Sequence, residues 1–485
     1  MSFAVTSDPA VRARPLAGAV AVMAVIGLVV RLALSRAPLA NDEIWSLDNL
    51  RPLAHAGRVL WGVSHDNNHF LNSLWLYFVW PWTHDSTVLR LISILSGAAL
   101  IPVMAALGAR RGTVAALAAA ALTTLSFFQI TWDAQARGYA SATLALVVAY
   151  AALERAWDAP ASRARWGFAA AAGLAVFSHL ASGPVLVLFC FVTLAELWRR
   201  HRRLKIALDQ TFALFAPAAL AVAPTVAVVV AGYREMGGFV VGFHRDFAAA
   251  HVVGAFTNLQ LTTLGLDADS HALAMFGLLA LPLVEIAAIA LCVRPERRIA
   301  YATLIFAMPV VALALRVPNT HPPRYYFAAS PFLLLLVSEV ADFLWSRASV
   351  SRISALALVG VLLVGDAASL AKLRDGLAEP WSDAFAVVSD SADPRLATNY
   401  AFNVGRSLAH YNRYLGKPIA LVADADLCRQ RPPWYVAELR DDAADQPTLT
   451  LGAPDCALRY QVERVVGRFT PWQSAWALYR LAESP

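Results

Sequence analysis

Two adjacent carboxylates, Asp42 and Glu43, open the first polar stretch after a long apolar segment, in LANDEIWSLDNL. Acids suit the first turn of a helix with Asn41 as its N-cap. A carboxylate pair also suits acid–base chemistry. Further on, His65 and His69 stand at i,i+4 spacing with Asp66 between them, a spacing that fits either a metal pair or a solvated loop. Other polar groups close or open apolar segments: Arg137 and Tyr139 in TWDAQARGY, His179 in FSHLASG, and Arg324, Tyr325 and Tyr326 in THPPRYYF. Snorkelling arginines, belt tyrosines and a hydrogen-bonded helix terminus are the structural explanations. The alternative is function, because an ionisable group at the end of a membrane span is costly unless it has a partner or a task.

The elements that position these residues belong to a membrane protein. Of 485 residues, 58% are hydrophobic and 15% charged, well under the roughly 25% charged of soluble domains. Apolar blocks near the ~20-residue length of a bilayer core fall at 16–37, 88–107, 113–130, 139–157, 166–180, 184–198, 207–231, 272–293, 300–314, 325–345 and 353–370. The sequence therefore predicts an all-α polytopic core of about eleven spanning helices. The first reads as a retained signal-anchor, since no A-x-A-like cleavage site follows it. The first outer loop, 38–85, contains HFLNSLWLYFVWPW, which is too short to span and reads as an interfacial helix. Arginine clusters at Arg110–Arg111, around Arg155–Arg165, in RRHRRLK, around Arg294–Arg298 and at Arg347 and Arg352 occupy every second loop. That alternation puts the N-terminus in the cytoplasm and the polar candidates on the outer side. The basic excess is no nucleic-acid footprint, because it is scattered through short loops.

From Lys372 onward the chain carries 13 Lys+Arg and 14 Asp+Glu, against 27 and 20 in residues 1–371. This tail, 372–485, reads as a separate α/β domain outside the membrane. RLATNYAF, PIALVADA, PWYVAEL, YQVERVVGRF and WALYRLA read as strands, and GRSLAHYNRYLG as a helix closed by Gly416. Cys190 and Cys292 fall in spans and read as packing residues. Cys428 and Cys456 both lie in the tail, where an oxidising compartment permits a disulfide; the other reading is two free thiols. The glycine-containing stretch 233–246 has the composition of a mobile lid.

In order and placement, these motifs resemble those of the GT-C membrane glycosyltransferases. The similarity is to the family 39-like group that includes protein O-mannosyltransferases and bacterial aminoarabinose transferases. The resemblance rests on Asp42-Glu43 after the first span, His69 in NNHFLNSL, Arg90 opening the next span and Gln135-Ala136-Arg137-Gly138-Tyr139 closing the third. His179 at the end of the fifth span and Arg324-Tyr325 ahead of Pro331 complete it. It covers about the first 340 residues. NNHFLNSL lacks the double proline common at that place in the family.

The resemblance implies a bacterial inner-membrane transferase that takes a sugar from a polyprenyl-phosphate donor on the outer face, with inversion. The acceptor is a cell-envelope glycan, lipid or protein. Asp42, or Glu43 in its place, takes the proton of the acceptor hydroxyl. Arg137 and Arg324 stabilise the departing lipid phosphate, with Tyr139, His179, Tyr325 and Tyr326 beside them. His65, Asp66 and His69 are acceptor or loop candidates, and no metal or other cofactor is expected. Three rivals remain: a polyprenyl-diphosphate glycan ligase, a lipid-linked sugar flippase, and an inactive core carrying a binding module. A flippase favours internal repeats and mid-membrane charges, neither of which is evident.

Overall fold

The computed structural model describes residues 9–63, 65–158, 163–238, 246–266, 268, 270–347, 349–377, 381–439, 447–452, 456–466 and 475–482. Half of the stretch with lid-like composition, 239–245, lies outside them. The chain forms two compact units, one of residues 1–35 and 49–369, the other of residues 36–48 and 370–485.

The first unit is helical, and every predicted span holds a helix or a bent pair of helices. Among the described residues six helices are long and apolar enough to cross a bilayer, and up to eight if each bent pair is one span. Tyr139–Asp158, Ala164–Ser178 and Ala329–Trp345 make up the rest of the eleven predicted segments. The protein is thus a multi-pass membrane protein. The sequence did not foresee the helix Ala249–Thr263. The predicted interfacial segment forms Phe70–Val79, in which Phe78 is exposed, as is Trp82 just after it.

One predicted span, 113–130, is in fact broken. Thr113–Leu125 and Phe127–Asp133 meet at 53°. The break at Ser126 leaves the backbone N–H groups of a new helix start without intrahelical acceptors. Asp366 Oδ1, from the helix Ser349–Leu377, accepts from Phe127 N (2.8 Å), and Ser126 Oγ accepts from Gln129 N (3.4 Å). The far end of the short helix is held by Arg31. Its guanidinium is fully buried, pairs with Asp133 Oδ2 at 2.8 Å, and donates to the carbonyls of Gly27, Thr123 and Thr124. Gly97 makes room for the pair, since a Cβ there would stand 2.2 Å from Asp133 Oδ2.

At the opposite ends of the helices the loop arginines are more than topology signals. Arg111 donates to Glu154 (2.9 Å) and Tyr301 Oη (3.0 Å), Tyr301 Oη donates to Glu339 (2.9 Å), and Arg297 pairs with Glu339 (3.0 Å). Asp342 Oδ1 accepts from the N–H groups of Val114 and Ala115, capping the next helix. Charge balance and capping thus reinforce the arginine pattern of the loops.

Among the described residues the second unit contains a six-stranded sheet of order β2-β1-β3-β6-β5-β4. The strands are β1 (Arg395–Thr398), β2 (Ala420–Val422), β3 (Trp434–Leu439), β4 (Thr448–Leu451), β5 (Leu458–Val466) and β6 (Ala475–Leu481). β1 pairs parallel with β2 and β3, and the remaining pairs are antiparallel. Alternation along β3 sorts its side chains: Trp434 and Val436 pack with Phe385, Val404 and Leu408, while Tyr435 and Ala437 pack with Tyr460 and Tyr479. The edge strand β4 and the helix Trp381–Asp390 were not foreseen. The predicted helix 405–416 runs instead over Ala401–Tyr411. Asn412, not Gly416, ends it: the Asn412 amide donates to Ile419 O (3.0 Å) and accepts from Ile419 N (2.9 Å). Cys428 and Cys456 are joined as a disulfide, with Cα atoms 5.8 Å apart.

Candidate active site

The short helix Phe127–Asp133, anchored at both ends, delivers the loop that carries Arg137. The loop is fixed from a second side by a polar chain. Asn72 Nδ2 donates to Ser93 Oγ, and Ser93 Oγ donates to the Arg137 carbonyl, each at 3.0 Å. Gly138 permits a third approach, for its backbone lies so close to Ser178 that a Cβ would fall 2.0 Å from the Ser178 carbonyl oxygen. Three segments, carrying His69, Arg137–Tyr139 and His179, therefore converge.

The buried Arg137 guanidinium donates from Nη2 to Asn67 Oδ1 (2.8 Å), and its Nε and Nη2 lie 3.4 and 3.3 Å from His69 Nε2. It stands 5.3 Å from the centre of the Tyr139 ring. The rings of His69 and His179 are 4.5 Å apart, as are those of Tyr139 and His179. Phe327 closes the cluster, 5.7 Å from both Tyr139 and His179. Arg324 is 5.9 Å from the Trp132 ring and 5.7 Å from the Tyr325 ring, and Trp132 in turn is 5.2 Å from Tyr139.

Donor chemistry assigns the histidine protons. A guanidinium only donates, so His69 Nε2 accepts and a neutral His69 carries its proton on Nδ1. The N–H of Ala181 donates to His179 Nδ1 (3.1 Å), so a neutral His179 carries its proton on Nε2. Burial, then the charges of His179, Arg137 and Arg324, hold the His69 pKa well below 6.5. Burial, then Arg137 and Arg324, lower that of His179 to about 3, with Asp66 pulling the other way. Both rings are therefore neutral at pH 7. His179 Nε2 is buried and has no hydrogen-bond partner among the described residues. It is an N–H donor for which the described residues supply no acceptor.

Of the residues singled out from the sequence, Arg137, Tyr139, His179, Arg324 and His69 come together in the first unit. Tyr325 joins through Arg324. Tyr326 is turned aside; its hydroxyl donates to Thr320 O (3.1 Å) and its ring packs on Phe256. His65 Nδ1 lies 2.8 Å from Asp66 Oδ1 and accepts from Asn67 N, so this pair shapes the loop that presents Asn67. Among the described residues no three of His, Cys, Asp and Glu are grouped to hold a metal ion. Arg90 donates to the Ser35 carbonyl (2.7 Å), tying the end of the first helix to the next span. Asn67, Trp132 and Phe327 escaped the sequence reading. Asn67 looks like a turn residue, and the two aromatics look like ordinary membrane packing.

Asp42 and Glu43 belong to the second unit, on the helix Asn41–Leu50. The N-cap position falls to Ala40 rather than Asn41, because Ala40 O accepts from Glu43 N and Ile44 N. Glu43 is buried and its Oε2 accepts from Ala40 N (2.7 Å), the reciprocal half of a capping box. Glu43 is thereby committed to the helix start, whereas Asp42 is half-buried one residue before it.

No family model matches the chain, and no curated protein sequence matches it. Solved structures do. ArnT from Cupriavidus metallidurans in the apo state aligns with a TM-score of 0.53 at 14% identity, over 95% of this chain and 98% of that one. ArnT bound to undecaprenyl phosphate aligns over the same shares at 0.50 and 14%. Arabinofuranosyltransferase AftD from Mycobacteria aligns at 0.47 and 16%, over 96% of this chain and 40% of that one. At such identities the ArnT likeness is one of architecture: a polytopic helical core followed by a small sheet domain, which is the GT-C fold.

Proposed function

We propose that the protein is a membrane glycosyltransferase that moves a sugar from a polyprenyl-phosphate donor to a hydroxyl of a cell-envelope acceptor on the outer face. One observation carries the reading: Arg137 and Arg324, far apart in the chain, flank a buried pair of neutral histidines, one of which offers an N–H with no acceptor among the described residues. Such a cluster suits an oxyanion. Guanidinium groups hold phosphate through paired N–H bonds and stay charged. The likeness to ArnT, solved with undecaprenyl phosphate, supports a lipid phosphate as that oxyanion.

In this reading Arg137 and Arg324 stabilise the charge that grows on the phosphate as the glycosidic bond breaks. His179 Nε2–H and Tyr139 add hydrogen bonds. Asp42 takes the proton from the acceptor hydroxyl; Glu43, engaged as a cap, is not needed for it. Attack opposite the phosphate inverts the anomeric carbon. The chemistry requires neither metal nor other cofactor.

The test is a purified-protein assay with undecaprenyl-phosphate-linked mannose, glucose, galactose and 4-amino-4-deoxyarabinose and a crude envelope fraction as acceptor. Release of undecaprenyl phosphate is followed by mass spectrometry. Wild type should release it from at least one donor, and Arg137→Ala and Asp42→Asn should slow release by about 100-fold or more. Normal turnover in Asp42→Asn would remove it as the base. Donor binding with no release by wild type would favour a carrier over a transferase.

A further inference from the structure

The helix that carries Asp42 has only ten residues, too few to be stable alone in water. Something must hold it. Asn41, Trp45 and Asp48 recur at i, i+4 and i+7 and so share one face. A second helix of the same unit, Ala401–Tyr411, presents Arg406 beside Phe402 (i−4) and Asn403 (i−3).

The two faces meet. The Arg406 guanidinium carbon stands 3.7 Å from the centre of the Trp45 ring and 4.8 Å from that of Phe402. Trp45 and Phe402 pack edge to face at 5.5 Å. Asn41 donates through its side-chain amide to the side-chain oxygen of Asn403. Asp42 and Asp48 both act on the Arg406 charge, partly offsetting the lowering of its pKa by burial. Arg406 Nη1 is buried and makes no hydrogen bond among the described residues. The contact is therefore a cation laid on an indole ring, under the influence of two carboxylates.

We propose that Arg406 is a positioning residue for the transfer reaction: from the C-terminal domain it anchors the helix Asn41–Leu50 and so holds Asp42 in place. This rests on the reading of Asp42 as the base. It also gives the C-terminal domain a task, that of holding the helix that carries Asp42. A guanidinium is suited to the task, since it lies flat on an aromatic face and keeps its charge when partly desolvated.

The experiment uses the full-length protein in detergent and two variants, Arg406→Gln and Arg406→Lys. The first readout needs no substrate: amide hydrogen exchange over Ile44–Leu50, with strands β3 and β6 as internal reference. Arg406→Gln should speed exchange in that helix about tenfold, the size of one partly desolvated cation–π contact, and leave the strands unchanged. The second readout is turnover of whichever sugar donor of the four-member panel wild type consumes. The kcat of Arg406→Gln should fall about tenfold with the donor KM unchanged, and Arg406→Lys, which keeps a cation over Trp45, should recover both readouts to within about threefold. Unchanged exchange in Arg406→Gln overturns the anchoring, whatever the enzyme's activity. Faster exchange with unchanged kcat, or with both variants equally impaired, overturns the positioning role. If Asp42→Asn turns over normally, the assignment of the base fails instead, and the exchange result still decides whether Arg406 anchors the helix.

Discussion

Gly138→Ala is the most exacting single test of how the site is held. The added methyl carbon would lie 2.0 Å from the Ser178 carbonyl oxygen and 3.0 Å from His69 Cβ. The Ser178 oxygen belongs to the backbone at the end of a helix, so it cannot swing aside as a flexible side chain would. Gly138 is not among the glycines with positive φ, so alanine meets no backbone strain and the cost is steric alone. Reaching an ordinary contact of about 3.4 Å requires the Arg137–Tyr139 loop and the Ser178–His179 turn to part by roughly 1.4 Å, at about 1–3 kcal/mol of stability. Misplacement of that size in a reacting constellation costs about 100-fold in rate. The expected result is a folded protein with a lowered thermal midpoint, weaker undecaprenyl phosphate binding by native mass spectrometry, and turnover down about two orders of magnitude. Gly360→Ala is the control, since a Cβ there meets nothing within 4 Å. If Gly138→Ala melts, binds and turns over like wild type, close approach of these segments does not hold the site.

Other consequences follow from the same geometry. Arg31→Met strands the buried Asp133 carboxylate and should cost about 3–5 kcal/mol in a detergent–denaturant titration, whereas Arg31→Met with Asp133→Leu should recover most of it. Equal losses in the single and double variants would refute the pairing. His179 keeps its neutral form to about pH 3 in the folded protein while an unfolded chain takes up a proton near pH 6.5. Stability is therefore intact above pH 6.5 and is lost as the pH falls from 6.5 toward 3, by up to about 1.4 kcal/mol per pH unit for this one group. The thermal midpoint should drop between pH 7.5 and 5.5, and drop less in His179→Gln; equal drops would show that His179 is not held neutral. The Cys428–Cys456 bridge closes a loop of sequence separation 28, worth about 3–4 kcal/mol in the chain-entropy picture. Reduction should lower the unfolding midpoint of the C-terminal domain, read by amide exchange in β3 and β6, and an unchanged midpoint after reduction would refute that contribution.

Much of the architecture was legible in the residue order. Apolar blocks of bilayer length mark the helices, because every backbone polar group in lipid must be satisfied within its own segment. Short alternating runs mark most strands of the tail, because side chains alternate across a sheet. The candidate arginines, Tyr139 and the histidines were visible as polar groups where none is needed for packing. The break at Ser126 was not legible, because the carboxylate that stabilises it, Asp366, lies in a distant helix. Nor was the capping role of Glu43: it looks equivalent to Asp42 in sequence, and only the Ala40 N–H reveals it as a cap.

The sequence alone determined where the chain is apolar, where it is charged and which residue types are available for chemistry, since those depend on composition and spacing. The tertiary structure decided what each polar group does. Arg31 became a strut because Asp133 comes to meet it. The histidines lost their charge because two distant arginines and the surrounding protein enclose them. Protonation, pairing and burial depend on neighbours in space, and folding chooses those neighbours from parts of the chain that local pattern does not link.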